Sequence, residues 1–209
     1  MSGTWYRAGP VGDDLCFGDG EATQGVVELA LVVAVVATIA GLLRGGSLEA
    51  LASTRFRAPW LLFAGLALQV AFDLWSPSWM NASGALAVVL SSNAFVLAWL
   101  WLNRRLPGVL LAAVGLALNV VVIASNQAMP VSLHAIEAAG GEATSLPRDL
   151  KHEPAGSDTI LPWLGDVIPM PVVGTVISVG DVVLAAGVGV LAYRRTTGET
   201  QEAPTARSL

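Results

Sequence analysis

"PVVGTVISVGDVVLAAGVGVLAYRR", residues 171–195, is an apolar stretch closed by two arginines, with one carboxylate, Asp181, near its middle. The 20 residues from Gly174 to Tyr193 are enough to cross a hydrocarbon core of about 30 Å at about 1.5 Å per residue. An ionised aspartate near the bilayer centre costs roughly 2.5–3.5 kcal/mol, so its presence asks for a reason. On a helix through this stretch Asp181 sits seven residues, roughly 10 Å, inside the outer end. Gly174, Ser178, Asp181, Ala185 and Gly189 recur by three and four, a small-residue face suited to close helix packing.

The rest of the chain has the same character. Its 209 residues are 54% hydrophobic and 13% charged, with mean hydropathy +0.65. A soluble domain carries about 25% charged residues, so the expected solvent is lipid. The single cysteine, Cys16, excludes an intrachain disulfide and a cysteine metal cage. No basic patch with interleaved aromatics points to nucleic acid, and no glycine loop or cofactor motif is present, so no cofactor is expected.

Five runs have the length and apolarity of transmembrane helices: Val26–Leu43, Pro59–Trp75, Gly84–Leu102, Pro107–Ser125 and Gly174–Tyr193. The expected fold is an all-α integral membrane protein of five helices, with one long outer loop, 126–173, between the fourth and fifth. Basic residues set the orientation. Arg44, Arg55, Arg57, Arg104, Arg105, Arg194, Arg195 and Arg207 fall on one side, against Arg7, Arg148 and Lys151 on the other. That places the N-terminus outside and the C-terminus in the cytoplasm. Trp60, Trp99 and Trp101 would mark the inner interface and Trp75, Trp79 and Trp163 the outer one. Residues 1–25 read as a disordered acidic tail, with a translation start near Val26 as the alternative. Residues 194–209 read as a cytoplasmic tail.

Polar residues on the last four spans converge from mid-membrane outward. Gly65, Gln69 and Asp73 share one face of the second span; Asn93 lies in the third, and Gly115, Asn119 and Asn126 rise along the fourth. Asn93 and Asn119 fit plain interhelical hydrogen bonds, whereas an intramembrane acid such as Asp181 is by default a functional group. In the loop, "MPVSLHAIEAAGG" carries helix start and stop signals, and His134 lies on the short helix it predicts. Lys151, His152 and Asp158 are on the polar segment after it. "ILPWLGDVIPMPVVG", with three prolines, cannot be a regular helix and would deliver Asp166 to the outer interface.

Three chemistries fit this set. Asp166 and Asp181 could share a proton as a catalytic pair. His134, His152 and an aspartate could hold a metal ion, though without recognised spacing. Or Asp181, Asp73, Asp158, Ser178, His134, Lys151 and His152, with the amides Gln69, Asn93, Asn119 and Asn126, could hold a polar small molecule, a lipid head group or a proton. Membrane lipids are the expected surroundings, and a membrane-protein partner, with this chain as a small subunit, is a further alternative.

"LLRGGSLEALA", "NQAMPVS", "LKH", "DTILPWLGDVIPMP" and "SVGDVVLAAG" together resemble an uncharacterised bacterial multi-pass membrane family, a domain of unknown function. The likeness runs from Val26 to Tyr193 and implies a five-helix plasma-membrane protein of no assigned activity. A looser likeness is to lipoprotein signal peptidase. Asp73 in "FDLWS" resembles its early outer aspartate, and Asp181 its catalytic Asp on the last helix, with Gly180 replacing an alanine and Asp166 as the other acid. That family's G-N-x-x-D-R motif is missing; "SNQAMP" stands in its place.

Overall fold

The computed structural model describes residues 21–75, 80–141 and 151–198. The expectations for the tail up to residue 20 and for residues 199–209, and for Trp79 and Arg148, lie outside them. The chain is mostly helical: α1 (Glu21–Leu43), α2 (Leu48–Ala52), α3 (Pro59–Leu74), α4 (Ala82–Leu102), α5 (Val109–Asn126), α6 (Leu133–Ala138) and α7 (Val179–Thr196). Two of these, α4 and α5, are long and apolar enough to cross a membrane.

The fold is not all-α. Four short strands, β1 (Met129–Val131), β2 (His152–Pro154), β3 (Asp166–Met170) and β4 (Thr175–Ser178), form one sheet in the order β2-β1-β3-β4. β1 runs parallel to β2 and β3, and β3–β4 is an antiparallel hairpin. The hairpin occupies part of the opening stretch, so the last helix starts at Val179 and not at Gly174. The causes are local. Pro169 and Pro171 forbid a helix, and Gly174 turns the chain at φ +68°, where a side chain is strained. "TVIS" then favours a strand. Ser178 caps the helix: its Oγ accepts from Asp181 N at 3.0 Å, and the Asp181 carboxylate accepts from Ser178 N at 2.9 Å. Asp181 is thus in the first turn of α7, not deep within a span.

The long helices form a row in which the principal contacts run α1 to α7, α7 to α5, α5 to α4 and α4 to α3. Glycines set the spacing. A Cβ on Gly115 would stand 2.4 Å from Leu184 N, and one on Gly187 2.3 Å from Ala112 N. Gly65 likewise lets α3 approach the Ser92 carbonyl on α4. Trp99, Leu100, Val109, Ala112 and Leu116 make the apolar core between α4 and α5.

These pairings put the C-terminal ends of α1, α4 and α7 beside the N-terminal ends of α3 and α5. All seven described arginines (Arg44, Arg55, Arg57, Arg104, Arg105, Arg194 and Arg195) therefore lie at one end of the row, with Glu49 as the one described acid there. The sheet lies at the opposite end. Between α1 and α3 the chain crosses the arginine end as a strap. It is held by Ser47 N donating to Thr196 O at 2.9 Å and by Asn103, which accepts from Arg57 N (2.8 Å) and donates to Arg57 O (3.0 Å) and Trp99 O (2.8 Å). Asn103 is only 3% exposed, and Asn103→Ala removes its three side-chain bonds, leaving the Arg57 N–H and carbonyl without their partner at the end of α4. A loss of about 2–3 kcal/mol is expected in equilibrium unfolding, against less than about 0.5 kcal/mol for exposed Ser53→Ala.

Candidate functional site

The polar groups that meet do so where the sheet joins the row. Asn119, two turns before the end of α5, donates to Asp181 Oδ1 at 2.6 Å and accepts from Ser178 Oγ at 2.9 Å. With the capping box this closes a ring of hydrogen bonds among Asn119, Ser178 and Asp181, buried between α5 and α7. Gly180 makes room for it, since a Cβ there would stand 1.8 Å from Asn119 Oδ1. Both Asp181 oxygens accept N–H groups, and the positive end of the α7 dipole lies beneath the carboxylate. Burial of Asp181 is thereby compensated by its surroundings, which answers the question its sequence position raised.

Asp166 stands next to this ring without joining it. It pairs with Ser178 across the hairpin and with Val131 on β1, and its carbonyl accepts from Ser132 N at 3.0 Å. Only 6% of it is exposed, and its carboxyl makes no hydrogen bond to a described residue. Burial, and next the Asp181 charge, push its pKa up from 3.8 to about 7; His152 on β2 pulls the other way. Asp166, Asp181 and His152 thus share one electrostatic neighbourhood.

The remaining candidates are distributed elsewhere. Asp73, at the end of α3, makes an ion pair with Lys151, whose ammonium also lies 5.2 Å from the centre of the Phe72 ring. This pair ties the β2 side of the sheet to α3. Asn126 clamps the loop, accepting from Ile160 N at 2.8 Å and donating to Ile160 O at 2.9 Å. Asn93 donates to Val89 O in its own helix, and Gln69 is half-buried on α3; neither joins the ring. His134 is exposed on α6, and Asp158 is exposed and accepts from Ser157 Oγ. No group of three His, Cys, Asp or Glu side chains able to hold a metal ion occurs among the described residues.

The sequence reasoning passed over Asn103. It ends a span directly before two arginines, where an asparagine looks like an ordinary loop residue.

A family described as of unknown function (DUF5317) matches residues 53–193. The match starts later than Val26, so "LLRGGSLEALA" falls outside it. No curated protein and no solved structure matches the chain.

Proposed function

The chain belongs to this family of unknown function, and from that premise we propose a multi-pass bacterial plasma-membrane protein with an outward-facing polar site that binds a proton together with a polar ligand or lipid head group. In this reading α1, α3, α4, α5 and α7 cross the bilayer, the sheet lies outside and the arginine end faces the cytoplasm. Two features support the membrane placement. Large apolar side chains are turned outward along the helices, among them Val32 and Val36 on α1, Phe63 and Val70 on α3 and Leu110 and Val121 on α5. Only 17% of the α4 span and 28% of the α5 span is buried within the protein, whereas the core helix of a soluble protein would be mostly covered. The segregated arginines support the orientation.

Asp166 is the observation that carries the function. A carboxyl that is nearly buried, held on a strand and not bonded to its neighbours is available to a proton or to a ligand's donor near neutral pH. Asp181, Asn119 and Ser178 are the frame that fixes its surroundings. Infrared difference spectra of the membrane-embedded protein between about pH 5 and about pH 9 test this. A protonated-carboxyl band that titrates near pH 7 and vanishes in Asp166→Asn is expected. A spectrum unchanged by the substitution would refute the assignment.

The adjacency of the two acids also favours a second reading, an aspartyl-type hydrolase acting on a lipid-linked or lipoprotein substrate, with Asp166 as acid and Asp181 as base. Both Asp181 oxygens already accept N–H groups, so a substrate would have to compete with Asn119 and Ser178 for this carboxylate. Turnover lost in both Asp166→Asn and Asp181→Asn supports this reading; turnover kept in both ends it.

A further inference from the structure

Among the described residues, three side-chain polar atoms are fully enclosed and have no hydrogen-bond partner: Thr54 Oγ1, Trp99 Nε1 and Arg195 Nε. All three lie at the arginine end. Thr54 is on the strap between α2 and α3. Trp99, 9% exposed, packs against the strap through Phe56, with ring centres 5.3 Å apart. Arg195 is in the last turn of α7, the helix against which α2 packs. The Trp99 and Arg195 nitrogens only donate, and the hydroxyl of Thr54 is free to donate as well.

A buried donor without an acceptor is rare in a folded protein, and three in one region point to something that brings acceptors. Among the described residues this end carries seven arginines and one acid, Glu49. Arg104 is already folded onto Trp101, 4.4 Å from its ring centre and donating to its carbonyl, which leaves Arg55 and Arg57 exposed on the strap. The complement to fixed N–H and O–H donors in a cationic surround is an anion with several acceptor oxygens and no donor of its own. Phosphate has that chemistry.

We infer that the strap and the helix ends beside it form a phosphate-binding surface, occupied by the head group of an anionic phospholipid in the leaflet it faces. The inference rests on the membrane orientation proposed above. The three donors are enclosed in this structure, so a lipid phosphate at the border of the apolar helices, where head groups of the cytoplasmic leaflet are concentrated, would reach them once the strap moves aside.

Thermal unfolding of the purified full chain in detergent tests this, with added phosphatidylglycerol, phosphatidylcholine or inorganic phosphate. Phosphatidylglycerol is expected to raise the midpoint at least about two-fold more than phosphatidylcholine. Trp99→Phe, which keeps a ring and removes only the N–H, and Arg195→Gln should each lose most of that difference. Equal shifts with the two lipids, or variants that respond like the parent, would overturn the inference. An equal effect of inorganic phosphate alone would keep the phosphate chemistry and overturn the lipid as its source. Labelling of Thr197→Cys from the cytoplasmic side reports the orientation separately, so a failed lipid site is told apart from a failed membrane reading.

Discussion

Gly187→Ala is expected to destabilise the protein by about 3 kcal/mol or more, because the added methyl group meets backbone on the facing helix rather than a side chain that can turn aside. Its Cβ would lie 2.3 Å from Ala112 N and 2.7 Å from Gly108 O. Relief requires moving α5 away from α7. That movement would also strain the Asn119–Ser178–Asp181 ring farther along the same seam. In the membrane placement proposed above, helices have little hydrophobic drive to associate and depend on such close packing, so the loss is not recovered elsewhere. Gly156→Ala is the matched control: nothing lies within 4 Å of its Cβ, and a change within about 0.5 kcal/mol is expected. Reversible unfolding in detergent, followed by circular dichroism, measures both.

The second large effect is a pH dependence that Asp166 imposes. Its folded pKa, about 7, lies above the ordinary 3.8, so the native state holds this proton more tightly than the unfolded state. The resulting stabilisation is full below about pH 4 and is lost as pH rises through about 7. At about 1.36 kcal/mol per pH unit its ceiling is about 4 kcal/mol. Asp166→Asn carries no proton to lose. Its stability should therefore fall less steeply than the parent's between about pH 4 and about pH 7, and it should be the more stable of the two above that range. Parallel stability curves for the two proteins would remove Asp166 as the titrating group. A ligand with a donor or a positive charge would favour the ionised form and move the transition to lower pH.

Much of this architecture is legible in the sequence, for identifiable reasons. Four of the five expected apolar helices lie within a few residues of the observed ones, apart from the earlier start of α1, because long apolar runs closed by polar turns have few alternatives. The short helix α6 is announced by Ser132 and Gly140. The fifth helix is misjudged because apolarity and length do not separate a buried strand from a helix. "TVIS" is apolar enough to be counted into a span, while Pro171, Gly174 and the S-x-x-D spacing at Ser178 and Asp181 carry the opposing signal. The sheet is harder still to foresee. Its strands come from distant segments of the loop, and β1 pairs in parallel with partners more than 20 residues away. The site is legible in part. An interhelical hydrogen bond from Asn119 is among those the sequence suggests, and it is made to Asp181, but a shared face on one helix does not bring Gln69 or Asn93 to the same place. The row arrangement of helices, which spreads those residues out, leaves no mark in the sequence.

Single-cysteine accessibility distinguishes a polar site outside the membrane and an arginine end within the cell from the opposite orientation. On a Cys16→Ser background, cysteines at Ser157, exposed near the sheet, and at Arg44, exposed at the arginine end, would be treated with a membrane-impermeant maleimide in intact cells. Position 157 is expected to label at once and position 44 only after the membrane is opened. Labelling of position 44 in intact cells, with position 157 protected, would contradict it.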